Sequence, residues 1–384
     1  MFSFRLKFNL KENSENRTTV ANIFISMMIQ KTINILRWSA LRAIMLVAVL
    51  SLTACNSVFD DEEDCTPYHY IKFVYDMNML YADAFATQVS SVDLYVFDAE
   101  TGEYITHYAD KGEALASGSY KMPINLAPGK YKFIAWCGIA DHDDFSVPGT
   151  NEINKEEDLI CTMYRTRDVN GAYSNRNLHA LFHGSTVEVL TDEEGEHVYT
   201  VRLIRDTNNI ILSLNHSAGE LDKDRFEITV TDENGLLAHD NSLMKDEPIE
   251  YRPWDLRSGS LDIVNSTKSR AENEEENSED EDENKVGYLK AEISTSRFMA
   301  DREMRINIRD KEEDKIIFSI PMIKYALELR SELYASMGEQ EYLDREYNYD
   351  LMVFLTDNNK GGWMVASIYI NGWHKITAQG EVEL

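Results

Sequence analysis

Val92-Asp93-Leu94-Tyr95-Val96-Phe97, followed by Asp98-Ala99-Glu100-Thr101-Gly102, decides the fold class. Alternation places Val92, Leu94 and Val96 on one face of an extended strand, and the residue types suit a pleated surface. Gly102 closes a turn where a left-handed backbone is needed. Upstream, Tyr70-Ile71-Lys72-Phe73-Val74-Tyr75 reads as another strand. Downstream, the Pro128-Gly129 turn launches Tyr131-Lys132-Phe133-Ile134-Ala135-Trp136. A second set of strands starts near Val198 and continues through Ile210–Leu214, Phe226–Val230, Met304–Ile308, Ile316–Ile320, Tyr349–Leu355 and Met364–Ile370. Short strands divided by turns specify an all-β protein built as antiparallel β-sandwiches. A chain of 384 residues suggests two domains. The predicted division is an N-terminal sandwich over 67–196 and a C-terminal sandwich over 197–384, with the boundary in Thr191–Glu196.

Three segments depart from the strand pattern. Residues 138–180 are polar and read as a long excursion with little regular structure. Residues 322–336 carry the stripe Ile323, Ala326, Leu327 and Leu333, which predicts one short amphipathic helix in the C-terminal domain, ended by Gly338. Residues 272–284 are almost entirely Glu, Asp and Asn, so 268–286 is expected to be a disordered acidic loop. Calcium binding there is disfavoured, because the run has no glycine and no EF-hand spacing.

The start of the chain carries targeting chemistry. Arg37 and Arg42 precede the apolar run Ala43–Leu50, which is shorter than the ~20 residues that span a bilayer. This is the layout of a secretory signal peptide, here residues 1–54, with Met27 or Met28 as a candidate true start. Leu52-Thr53-Ala54-Cys55 resembles the lipobox of bacterial lipoproteins, which makes Cys55 the expected lipidation site. One acyl chain holds a membrane only marginally, whereas two or three anchor it stably. Residues 55–66 contain Asp60-Asp61-Glu62-Glu63-Asp64, read as an acidic tether or as an export tag to the outer face of the outer membrane.

Composition excludes several function classes. The formal net charge is -29 with no basic stripe, which argues against nucleic acid as a partner and against docking on anionic lipid. The four cysteines form no CxxC pair; beyond Cys55, either one disulfide and a free thiol or three buried thiols fit Cys65, Cys137 and Cys161. The nine histidines include no HExxH, and there is no GxSxG and no P-loop. His179 and His183, four apart with Asp168 upstream, would share a face only on a helix, and Leu181-Phe182-His183-Gly184 reads as a strand. No catalytic residue, metal or cofactor is assigned, and the chain is not expected to be an enzyme. Trp136 and Trp373 end strand-like runs and belong in the core, while Trp254, after Arg252-Pro253, is a candidate for exposure.

Four segments together resemble the fimbrial anchor-subunit family of Bacteroidales, the FimB-type lipoproteins. They are Tyr70-Ile71-Lys72-Phe73 with Tyr75-Asp76, Asn78 and Ala82-Asp83-Ala84-Phe85; Val92–Asp98; Gly129-Lys130-Tyr131 leading to Ala135-Trp136-Cys137-Gly138; and Ile368-Tyr369-Ile370-Asn371-Gly372-Trp373. The resemblance implies two tandem transthyretin-like β-sandwiches and a seat in the outer membrane at the base of a fimbrium. It implies partners that are other fimbrial subunits, joined by β-strand addition at an open sheet edge. In polymerising relatives an Arg-specific protease removes the first strand, which an anchor must keep. Arg165 and Arg167 mark the candidate protease-sensitive loop; in an anchor they are ordinary surface arginines. The alternative reading is a solitary surface lipoprotein that binds glycan or host protein.

Overall fold

The computed structural model describes residues 26–28, 30, 67–140, 142–217, 219–262, 285–357 and 363–376. Cys55 with its lipobox, Cys65 and the acidic run 272–284 lie outside the described residues.

The first half contains β1 (Pro67–Val74), β2 (Ser91–Asp98), β3 (Tyr104–Lys111), β4 (Met122–Ile124) and β5 (Gly129–Cys137). Four short strands follow: β6 (Phe145–Ser146), β7 (Cys161–Met163), β8 (Thr166–Asp168) and β9 (Gly171–Ser174). Then come β10 (Phe182–Leu190), β11 (Gly195–Arg202) and β12 (Ile204–Arg205). A helical turn, α1 (Phe85–Gln88), sits between β1 and β2. Two sheets, ordered β11-β1-β4 and β12-β10-β5-β2-β3, enclose a core of Ile71, Phe73, Val92, Leu94, Val96, Phe133, Ala135, Phe182 and Val201.

The second half contains β13 (Thr207–His216), β14 (Phe226–Asp232), β15 (Leu236–Leu237), β16 (Ile249–Tyr251), β17 (Asp255–Asp262) and β18 (Lys285–Ser296). It continues with β19 (Arg305–Asp310), β20 (Lys315–Pro321), α2 (Met322–Glu328), α3 (Glu339–Arg345), β21 (Asn348–Asp357), β22 (Trp363–Ile370) and β23 (Trp373–Ile376). Its sheets are β17-β18-β13-β21-β22-β23 and β20-β19-β14-β16-β9-β8. Ile210, Leu212 and Leu214 of β13 alternate into the core with Ile228, Val230, Ile306, Ile308, Leu351 and Val353. The all-β sandwich class read from alternation is the class observed.

The pairing is not purely antiparallel. β1 runs parallel to β11, and β13 runs parallel to β21. In each half the opening strand therefore lies inside a sheet, with a late strand of the same half on one side. β1 also pairs antiparallel with β4, and β13 with β18.

Three local expectations change. The excursion 138–180 contains β6 to β9, and β9 lies parallel to β16 in a sheet of the second half. β7 pairs with β15, so a three-stranded sheet β15-β7-β6 draws on both halves. The division drawn at 196/197 falls inside β11, whose partner is β1. The helix predicted over 322–336 stops at Glu328, and a 3-10 turn at Glu332–Tyr334 follows, in which the Ser331 hydroxyl accepts from the Leu333 amide. Leu333 is exposed rather than part of the apolar stripe, and Gly338 caps the start of α3 instead of ending a helix.

β2 explains why the excursion matters. Val92, Leu94 and Val96 face the first core, while Tyr95 and Phe97 on the opposite face are also buried. That second face packs with Ile134, Trp136, Ile153, Leu159 and Cys161 into the core of the second half. The excursion fills the space between the sheets, and one continuous apolar cluster joins the two sandwiches.

Candidate functional site

An open cleft of about 680 Å³ lies where the excursion meets the segment before β16. Its lining includes Ser146, Thr162, Tyr164, Arg165, Arg167, Asp246 and Glu247. β6, β7 and β8 supply one wall, and the Asp246-Glu247 pair supplies the other.

Each charged group there is held by a neighbour. Arg165 donates from Nη1 to both Asp246 oxygens, at 2.8 and 2.7 Å, and from Nη2 to the Gly235 carbonyl at 3.3 Å. Arg167 forms a two-pronged contact with Glu247, one prong at 2.6 Å, which holds that carboxyl below its usual range. Bidentate pairs of this kind fix geometry as well as charge. Tyr164 is 52% exposed. Its backbone amide donates to the Asp144 carbonyl at 2.7 Å, and the Arg176 guanidinium lies 4.9 Å from its ring centre. Arg176 is itself gripped by Asp143 and by Asp144, the latter at 2.8 Å.

A second polar cluster is buried. Arg297 donates to Asp344 at 2.8 Å and to the Asn241 carbonyl at 2.6 Å, and lies 3.6 Å from Asp206. Asp206 connects β12 to β13, and its amide donates to the Leu181 carbonyl. Asp206 Oδ2 has no partner among the described residues. Burial pushes the Asp206 carboxyl up to about 7, a penalty that the Arg297 charge only partly offsets. Burial likewise pushes His183 down to about 4, opposed by its contact with the His239 carbonyl.

These two shifts act against each other. From 3.8 to about 7 the folded chain holds a proton on Asp206 that the unfolded chain has released. This contribution is complete below 3.8 and is lost as pH rises through 7. From 6.5 down to about 4 the folded chain lacks a proton on His183 that the unfolded chain has taken up. That contribution is complete above 6.5 and is lost as pH falls toward 4. Asp206→Asn removes only the first. Relative to the parent, the variant should gain stability as pH rises from about 5 to 6.5, by up to about 1.4 kcal/mol per pH unit. Urea unfolding across that range checks this, and a pH-independent difference between the two proteins would refute the assignment.

The structure gives the other sequence candidates ordinary places. Arg165 and Arg167 both stand in the cleft wall, in ion pairs. His183 is buried against Trp136, 4.6 Å between ring centres, while His179 pairs with Asp144 at 2.7 Å and stacks on His142. The two histidines are not brought together, and no metal-holding cluster occurs among the described residues. Asp168 pairs with Arg252. Cys137 and Cys161 are buried free thiols. Trp136 is in the core, Trp254 is exposed, and the Trp373 side chain lies outside the described residues. Sequence reading missed Tyr164, Asp246 and Glu247; the partners of the last two lie 81 and 80 positions away along the chain.

Comparison with known proteins places this architecture. A family model for fimbrillin-A associated anchor proteins Mfa1 and Mfa2 matches residues 62–378. No curated protein sequence matches the chain. Among solved structures, a proposed adhesin from Bacteroides thetaiotaomicron is 31% identical, with 82% of this chain and 99% of that one covered and a TM-score of 0.67. A proposed polysaccharide-binding protein from the same species is 29% identical over 81% of this chain and 98% of that one, with a TM-score of 0.64. The fimbrial anchor protein Mfa2 of Porphyromonas gingivalis shares the fold at 16% identity, covering 82% of this chain and 100% of its own, with a TM-score of 0.58. With the model match spanning both sandwiches, the chain belongs to the family of fimbrillin-A associated anchor proteins Mfa1 and Mfa2.

Proposed function

We propose that the chain is an outer-membrane lipoprotein, acylated at Cys55, that serves as the anchor or assembly subunit of a surface fimbrium. The family is a structural one of fimbria and the cell surface, and a fimbrial accessory or adhesive role follows from membership. The finer reading is supported chiefly by one observation on β1. This first strand is an inner strand, matched to β11 at eight positions and to β4 at three. No arginine occurs between Cys55 and Arg165, so an Arg-specific protease has no site at which to release β1 alone. The strand stays joined to Cys55, as an anchor requires. The outer edges of β11 and β4 carry no further strand among the described residues, which supports strand addition by another subunit.

Cys55→Ser tests anchorage. The parent should fractionate with outer membranes and yield an acylated Cys55 peptide contiguous with β1. The variant should leave the membrane fraction almost completely, since no other acyl carrier is supplied. Undiminished membrane attachment of the variant would reject the lipoprotein reading.

The second reading, a solitary surface lipoprotein that binds glycan or host protein, is favoured by the open cleft and by the similarity to the proposed polysaccharide-binding protein. Co-purification separates the two. An anchor comes out with fimbrial subunits, whereas a solitary binder comes out alone.

A further inference from the structure

We propose that the cleft around Tyr164 is a binding subsite for a neutral oligosaccharide, an inference that rests on the glycan-binding reading above and not on how the chain is anchored. The inference stands on the inventory of the cleft and on how firmly each member is held.

An uncharged sugar presents two surfaces, a weakly polar C–H face and a rim of hydroxyls that both donate and accept. A site for it needs a flat aromatic platform and planar polar groups offering acceptors and donors side by side. The cleft has both. Tyr164 is the platform, half-exposed, with its phenol available as a polar tip. Ser146 and Thr162 supply hydroxyls. The Arg165–Asp246 and Arg167–Glu247 pairs set a guanidinium edge beside a carboxylate edge twice over. The Arg167–Glu247 pair, the more exposed of the two, presents spare lone pairs and N–H groups to an entering hydroxyl, whereas Arg165 and Asp246 are largely covered.

The charge arrangement selects against other ligands. Arg165 and Arg167 each face a carboxylate, and Arg176 faces two. Among the described residues lining the cleft no cation is left over to receive a phosphate or a sulfate, and the chain's overall charge of -29 repels polyanions.

The platform is also set in advance. Backbone contacts fix Tyr164 to Asp144 and Met163 to the Gly235 carbonyl, while Arg165 ties the same corner through Asp246. The backbone that carries the ring need not be ordered when a ligand arrives, which lowers the cost of binding. One face of the Tyr164 ring lies against the Arg176 guanidinium, and half of the side chain remains in water.

The test uses the purified full-length protein and a panel of neutral hexasaccharides of gluco-, manno- and galacto-configuration, with heparin as the anionic comparison. Isothermal titration should show binding of at least one neutral member with a dissociation constant of roughly millimolar or tighter, the range that one stacking contact and a few hydrogen bonds supply. Tyr164→Ala should weaken it at least tenfold, while Tyr164→Phe keeps most of it because the ring remains. Thermal unfolding of both variants should match the parent, as expected for a half-exposed side chain, so a loss of affinity cannot be assigned to misfolding. Glu247→Gln should raise affinity for heparin, because Arg167 is then uncompensated. The proposal is overturned if no neutral oligosaccharide binds at millimolar concentration, if Tyr164→Ala binds as the parent does, or if the parent prefers heparin.

Discussion

Arg297→Met should cost about 3–5 kcal/mol of folding stability, the usual loss when one partner of a buried ion pair is removed. Arg297 is the cation facing both Asp206 and Asp344, and its Nη1 satisfies the Asn241 carbonyl. Met fills most of the space, so the loss reports on stranded polar groups rather than on a cavity. Two further measurements separate charge from packing. Adding Asp206→Asn to Arg297→Met should return part of the loss, because one stranded carboxylate is gone. The penalty should also shrink from about pH 8 to about pH 5, since Asp206, pushed up to about 7 by burial, takes a proton across that range. Denaturant unfolding of the three proteins at both pH values gives the answer. A pH-independent penalty with no relief from the double variant would contradict the assignment.

Trp136→Ala should cost a similar amount, about 3–5 kcal/mol, through the cavity left by a fully buried indole. The side chain stands on the face of β5 that turns away from the first core, against His183 and within the cluster that continues into the second sandwich. The expected consequence is a loss shared by both halves. Far-UV circular dichroism and the fluorescence of the remaining tryptophans should shift together, in one transition at lower denaturant. Trp136→Phe should cost distinctly less. Two separated transitions in the alanine variant would show that the halves unfold independently and that the shared cluster couples them weakly.

The strands and their cores were legible because alternation over six or more residues leaves little freedom. Val92, Leu94 and Val96 announce one buried face, whereas the burial of Tyr95 and Phe97 on the other depends on the excursion that covers it. What escaped was whatever depends on partners distant along the chain. β6 to β9 are two to four residues long and exist because β15 and β16 lie beside β7 and β9. Asn170-Gly171, where the β8–β9 hairpin turns back, is a local signal that was present there. The helix was placed correctly at its start. Its early end reflects Ser331, which competes for the backbone of the next turn and starts a 3-10 segment instead. The cleft was half legible. Arg165 and Arg167 drew notice as charged residues in a polar stretch, but Asp246 lies 81 positions further on and no spacing rule connects them.

The inner position of β1 carries a mechanical consequence. Tension on the segment ahead of Pro67, directed along the strand, meets β11 on one flank and β4 on the other. To slip, the strand must shear across many backbone hydrogen bonds at once and drag Ile71 and Phe73 out of close packing. It cannot peel from an exposed border one bond at a time. A tether fastened to such a strand, as proposed through Cys55, would grip hardest in the direction in which flow over a cell would tug it.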